Sequence, residues 1–114
     1  MKILSPKTHA VLDYLVVAAF LAAPSALGLA GAAALLSWIL SGVHLALTLV
    51  TNIPLSAAKW VPLKVHGWIE FAVGPTLLAA PWLLGFSGHT PARVFFLAAG
   101  TLIFATWLIT DYGA

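Results

Sequence analysis

Lys7-Thr8-His9-Ala10-Val11-Leu12-Asp13, near the N-terminus, returns in altered form as Lys64-Val65-His66-Gly67-Trp68-Ile69-Glu70. Each copy sets a histidine and a carboxylate four residues apart, behind a lysine and ahead of a long apolar run. In an α-helix that spacing brings both side chains to one face, with Cβ atoms about 5–6 Å apart. The correspondence continues downstream without a gap. Leu21-Ala22-Ala23-Pro24 recurs as Leu78-Ala79-Ala80-Pro81, and Leu27-Gly28 as Leu84-Gly85. One offset of 57 residues joins every pair (His9 to His66, Asp13 to Glu70, Pro24 to Pro81), which marks a duplicated unit rather than a stray motif.

The runs behind these pairs decide the solvent. A chain of 114 residues that is 62% hydrophobic and 7% charged, with a mean hydropathy of +1.07, has more apolar surface than so small a core can hide from water. A lipid bilayer is the environment this composition predicts. The absence of cysteine excludes disulfides, thiolate metal ligands and thiol nucleophiles. A formal net charge of +2, scattered along the chain, is too small for a nucleic-acid surface, so no nucleic-acid partner is expected. No phosphate-binding loop, nucleophile elbow, zinc-protease helix or dinucleotide fingerprint is present, and a non-enzymatic protein is expected.

Working outward from the two histidine segments gives an all-α fold, a four-transmembrane-helix bundle made of two parallel-repeat helical hairpins. The first repeat covers 1–52, with spans at about 6–23 and 31–51. A cytoplasmic connector follows at 53–61. The second repeat covers 62–114, with spans at about 62–80 and 91–110. A helix of roughly 18 residues rises about 27 Å, enough for a hydrocarbon core. Ser5 is placed to cap the first helix, with Pro6 in its first turn. Pro24 and Gly28 predict a bend and a turn, Pro75 a kink in the third helix, and Thr90-Pro91 the start of the fourth.

Lys2, Lys7, Lys59 and Lys64 fall at the N-terminus and in or beside the connector, whereas the outer turns carry only His89 and Arg93 between them. The positive-inside rule then puts both termini and the connector in the cytoplasm. Two spans per repeat give both copies one orientation, about an axis along the membrane normal. Lys2, Lys7 and the apolar run after them also resemble a cleavable leader, but the same pattern recurs internally at Lys64, which favours a retained helix.

If the repeats pack about such an axis, His9, Asp13, His66 and Glu70 converge as two imidazoles and two carboxylates. That donor set suits zinc, iron or manganese. Two other readings stay open: each acid pairs with its own histidine and the nearby lysine to pin the helix start, or the set serves proton or ion movement. His9 and His66 are also placed to flank a haem near the surface. His44 lies deeper, on a stripe with Ser37, Ser41, Thr48 and Thr51 that follows helical periodicity and should face other helices. It is a candidate haem or pigment ligand or a proton relay, against the plainer role of an interhelical hydrogen bond to a carbonyl or hydroxyl. The identity of any cofactor stays open. Small residues at Ala18, Ala19, Ala22, Ala23, Ser37, Ser41, Ala98, Ala99 and Gly100 permit close helix approach and self-association. Trp60, Trp68, Trp82 and Trp107 read as interface anchors.

His66 through Glu70, followed by Ala80-Pro81-Trp82-Leu83-Leu84-Gly85-Phe86, resembles one copy of the bacterial SPW-repeat membrane proteins. His9 through Asp13, followed by Ala23-Pro24-Ser25-Ala26-Leu27-Gly28, resembles a second. The chain departs from that motif where alanine stands for serine in both copies and Ser25 for one tryptophan. The resemblance spans nearly the whole chain and implies a small four-helix membrane protein, with no activity attached. The expected role is a scaffold or accessory subunit, with the lipid bilayer and either a second copy or another membrane protein as partners. A metal, haem or pigment site, or an ion pathway in an oligomer, is the alternative.

Overall fold

A computed structural model describes residues 3–112 and contains four helices: α1 (Pro6–Ala26), α2 (Gly31–Leu49), α3 (Leu63–Leu83) and α4 (Thr90–Ile109). Among the described residues the extended backbone amounts to two isolated bridges, Leu4 with Thr110 and Thr51 with Val61. The fold is all-helical, as the apolar runs predict. Three helices, α1, α2 and α4, are long and apolar enough to cross a membrane. At 21 residues α3 has the length, but Lys64, His66 and Glu70 in its first turns dilute its apolar character.

The helix ends follow from a few residues. The Ser5 hydroxyl accepts from the Thr8 N–H at 3.2 Å and caps α1, with Pro6 in the first turn. α1 then runs through Pro24 to Ala26, and α3 runs through Pro75 and Pro81 to Leu83, each three residues past the end expected from sequence. Proline removes the N–H that would reach the carbonyl four residues earlier, and in α1 a neighbour replaces it. Ser37 Oγ of α2 donates to the Phe20 carbonyl at 2.6 Å. Both helices close identically. The Leu29 N–H reaches Pro24 O at 3.0 Å and the Phe86 N–H reaches Pro81 O at 2.8 Å. Gly28 (φ +64°) and Gly85 (φ +78°) take the left-handed conformation that this closure requires.

α2 stops at Leu49, two residues early, because its exit pairs with the connector. The Val61 N–H donates to Val50 O at 2.8 Å, and the Asn52 N–H to Val61 O at 2.7 Å. The exit of α4 pairs with the chain entering α1 in the same pattern. The Leu4 N–H donates to Ile109 O at 2.9 Å, and the Asp111 N–H to Leu4 O at 2.9 Å. These two ties lie at the same end of the bundle as the first turns of α1 and α3.

α1 packs along α2 and α3 along α4, while α1 with α4 and α2 with α3 meet more sparsely. Two hairpins therefore sit side by side. Within the second hairpin, Gly74 and Gly100 allow backbone contact: a Cβ on Gly100 would lie 2.8 Å from Gly74 O. The interior divides by depth. Phe20, Leu77 and Phe96 centre an apolar half. The half nearer the chain termini is polar, and the α2 stripe turns into it, with Ser37, Ser41, His44, Thr48 and Thr51 all buried. Ser41 Oγ donates to Val17 O at 2.9 Å, so this edge does face another helix.

Candidate functional site

His9 and Asp13 occupy the first two turns of α1, and His66 and Glu70 the first two turns of α3. Their four-residue spacing turns each pair inward, and all four side chains are buried. The two pairs meet at the centre. His9 Nε2 lies 2.6 Å from Glu70 Oε1 and 3.3 Å from Asp13 Oδ2. His66 Nε2 lies 2.7 Å from the same Glu70 oxygen and 3.1 Å from the same Asp13 oxygen. Each carboxylate thus faces both imidazoles, not its own helix's histidine alone. Among the described residues the ion pairs of Asp13 and Glu70 are all with histidine, and none is with Lys7 or Lys64.

The outer nitrogen of each ring is held by the other hairpin. His9 Nδ1, on α1, bonds Thr110 Oγ1 after α4 at 2.8 Å. His66 Nδ1, on α3, bonds Thr51 Oγ1 after α2 at 2.8 Å. Each threonine hydroxyl gives its single proton to the carbonyl four residues earlier: Thr110 to Thr106 O and Thr51 to Leu47 O, both at 2.5 Å. A hydroxyl whose proton is committed can only accept from the ring. Both Nδ1 atoms therefore carry hydrogen, and both Nε2 atoms point to the centre. The backbone ties of Leu4 and Val61 set the two threonines where they reach these rings.

His44 joins from α2. Its Nε2 lies 3.3 Å from Asp13 Oδ1, the carboxylate oxygen turned away from the other two histidines, and its ring centroid is 5.9 Å from that of His66. Its interhelical bond goes to a carboxylate, not to the carbonyl or hydroxyl that the sequence suggests. His44 thus belongs to the same cluster as His9 and His66. Asp13 and Glu70 fill the space between the His9 and His66 Nε2 atoms, so a haem does not fit between those two rings.

Tyr112 closes the site toward the chain termini. Its ring stands edge-on to His9 at a centroid distance of 6.0 Å and rests over Gly67, where a Cβ would come within 2.6 Å of it. Burial pushes the Tyr112 phenol above its ordinary range, and the Glu70 charge adds to that shift, so the ring stays uncharged. Beyond Tyr112 a cavity of about 590 Å³ opens among Pro6, Asn52, Lys59, Pro62 and Lys64.

Sequence spacing brings His9, Asp13, His66 and Glu70 into one frame and places Thr51 on the buried stripe. It does not single out Thr110 or Tyr112. The only available signal was that Thr110 follows Thr51 by 59 residues, two more than the repeat offset, and a search at fixed offset passes over it. Comparison with protein-family models, with curated proteins and with solved structures finds no match to this chain.

Proposed function

We propose that this chain is a small, non-enzymatic, multi-pass protein of a bacterial inner membrane that acts as a scaffold or accessory subunit for other membrane helices. In this reading α3 spans with the other three helices. Residues 1–52 and 62–114 are parallel repeats of the kind the SPW-repeat resemblance implies, joined by the connector 53–61, and both termini are cytoplasmic. The matched helix closures at Gly28 and Gly85, and the matched ties of Leu4 and Val61, support the repeat. Lys59 and Lys64 line one cavity with Pro6 at one end of the bundle, while Arg93 binds Ser87 O at the opposite turn. That asymmetry supports the orientation.

The observation that carries the scaffold reading is a pair of apolar grooves where the hairpins meet. One, of about 290 Å³, runs between α2 and α3 along Leu36, Leu40, Ala72, Val73 and Ala80. The other, of about 160 Å³, runs between α1 and α4 along Val16, Ala19, Phe95, Ala98 and Ala99. Without a hydrophobic force between helices in lipid, association depends on close packing, and alanine-lined grooves admit a neighbouring helix at short range. The Ala99→Leu substitution fills the second groove. Extracted in mild detergent from its own membrane, the wild type is expected to carry a second copy or another membrane protein, and the variant to lose it while keeping its helix content. Association that survives in Ala99→Leu, and in a matching Ala72→Leu, removes the scaffold reading.

A further inference from the structure

We propose that His9, Asp13, His66 and Glu70 form a binding site for one divalent transition metal of the zinc, manganese or ferrous class, inside the membrane-embedded bundle. The argument starts with protons. Thr51 and Thr110 accept from both Nδ1–H groups, so in a neutral imidazole each Nε2 presents a lone pair to the centre. Two carboxylate oxygens face those lone pairs, and all four atoms lie within 4.8 Å of one another. The 2.6 Å contact of His9 Nε2 with Glu70 Oε1 is a hydrogen bond when one proton stands at the centre. Without protons there, four acceptors turned on each other repel unless a cation stands between them. Asp13 Oδ2 and His66 Nε2 are buried without a hydrogen bond of acceptable geometry, although they lie 3.1 Å apart. A divalent cation satisfies all four at once and cancels the two carboxylate charges, which matters where the medium solvates charge poorly.

The distances say how it would fit. Ligand atoms at about 2.0–2.1 Å from a tetrahedral metal stand about 3.3 Å from each other. The two Asp13 edges, at 3.1 and 3.3 Å, already match. The two Glu70 edges, at 2.6 and 2.7 Å, must open by about 0.6–0.7 Å, and the remaining separations, which lie within 4.8 Å, must close by up to about 1.5 Å. The metal would thus draw the four side chains into a tetrahedron from a flatter arrangement. Two nitrogens with two oxygens select a borderline cation over calcium or magnesium, which take oxygen shells, and the chain has no cysteine for soft cuprous ion. The outer shell is that of a metal site as well. Each ligating ring donates its other N–H to a fixed acceptor, and His44 holds the free oxygen of Asp13.

The test uses the full chain in mild detergent. Protein from its own membrane is analysed for metals, then treated with chelator and titrated with cobalt(II), whose visible absorption reports a tetrahedral nitrogen–oxygen site. One metal per chain is expected in the wild type, and none in Glu70→Gln. Thr51→Val keeps all four ligands but frees the His66 ring, and is expected to weaken cobalt binding about 10–100-fold. Helix content and elution volume are read on the same samples. If Glu70→Gln does not fold, Thr51→Val alone carries the comparison. A folded wild type that takes up neither its native metal nor cobalt overturns the proposal and leaves two protons as the charge that holds the cluster. Undiminished cobalt binding in folded Glu70→Gln or Thr51→Val overturns it equally.

Discussion

Two glycines make opposite predictions about the tolerance of close contact. A methyl group on Gly100 would meet backbone, 2.8 Å from Gly74 O, and neither α3 nor α4 can yield without parting along its length. On Gly67 it would meet the tip of the Tyr112 ring, which can swing toward the cavity beyond it. Gly100→Ala should therefore destabilise the bundle by about 1–3 kcal/mol, and Gly67→Ala by clearly less. Thermal unfolding of both variants in detergent checks the order, and a larger loss in Gly67→Ala would show that Tyr112 is rigidly set. At this scale much of the site was legible. A histidine and an acid four apart, repeated at 57 residues, predict convergence because the helix and the axis leave few other arrangements. Thr51 was legible as a member of the buried stripe, but its role as acceptor, and Thr110 altogether, were not, because both sit just beyond helix ends, where a backbone tie fixes what they reach. Nor was the contact of Gly74 with Gly100, which depends on how two helices register.

An element's end is set by what its neighbour offers. The spans expected from sequence end at about 23 and 80, just before Pro24 and Pro81, yet both helices continue past them. In α1 the carbonyl that Pro24 abandons is Phe20 O, and Ser37 of α2 takes it over. This is a coupled arrangement with a measurable signature. Ser37→Ala should destabilise by about 1–2 kcal/mol, because a buried carbonyl loses its donor. In a Pro24→Ala background the restored N–H of residue 24 reaches Phe20 O itself, and the same serine substitution should have little effect. The coupling energy from that double-mutant cycle is the readout; additive losses would mean that Ser37 acts through packing alone. Serine at position 37 was already on the buried stripe of α2 in sequence, but its partner was not readable. Periodicity assigns a face to a residue and does not assign the atom opposite it.

For the whole molecule the decisive question is the course of α3. It has the length of a span but lies below its neighbours in apolar character. Lys64 at the helix start is exposed, but the polar groups farther along the helix do not face outward: His66 and Glu70 are 0% and 2% exposed and are matched inside by His9 and Asp13. Beyond its first residues such a helix presents lipid with an apolar surface, where Trp68, Phe71 and Leu83 are exposed. Four spans place the connector and the turn between α3 and α4 on opposite sides of the membrane. Three spans place them on the same side. The absence of native cysteine makes the distinction direct. Single cysteines introduced as Ala57→Cys in the connector and Gly88→Cys in the outer turn occupy exposed positions, and a Cβ at Gly88 meets no neighbour. In intact cells a membrane-impermeant maleimide should label Gly88→Cys and spare Ala57→Cys, and in inverted vesicles the pattern should reverse. Labelling of both from one side would take α3 out of the membrane, and with it the claim that the histidine–carboxylate cluster lies within the bilayer.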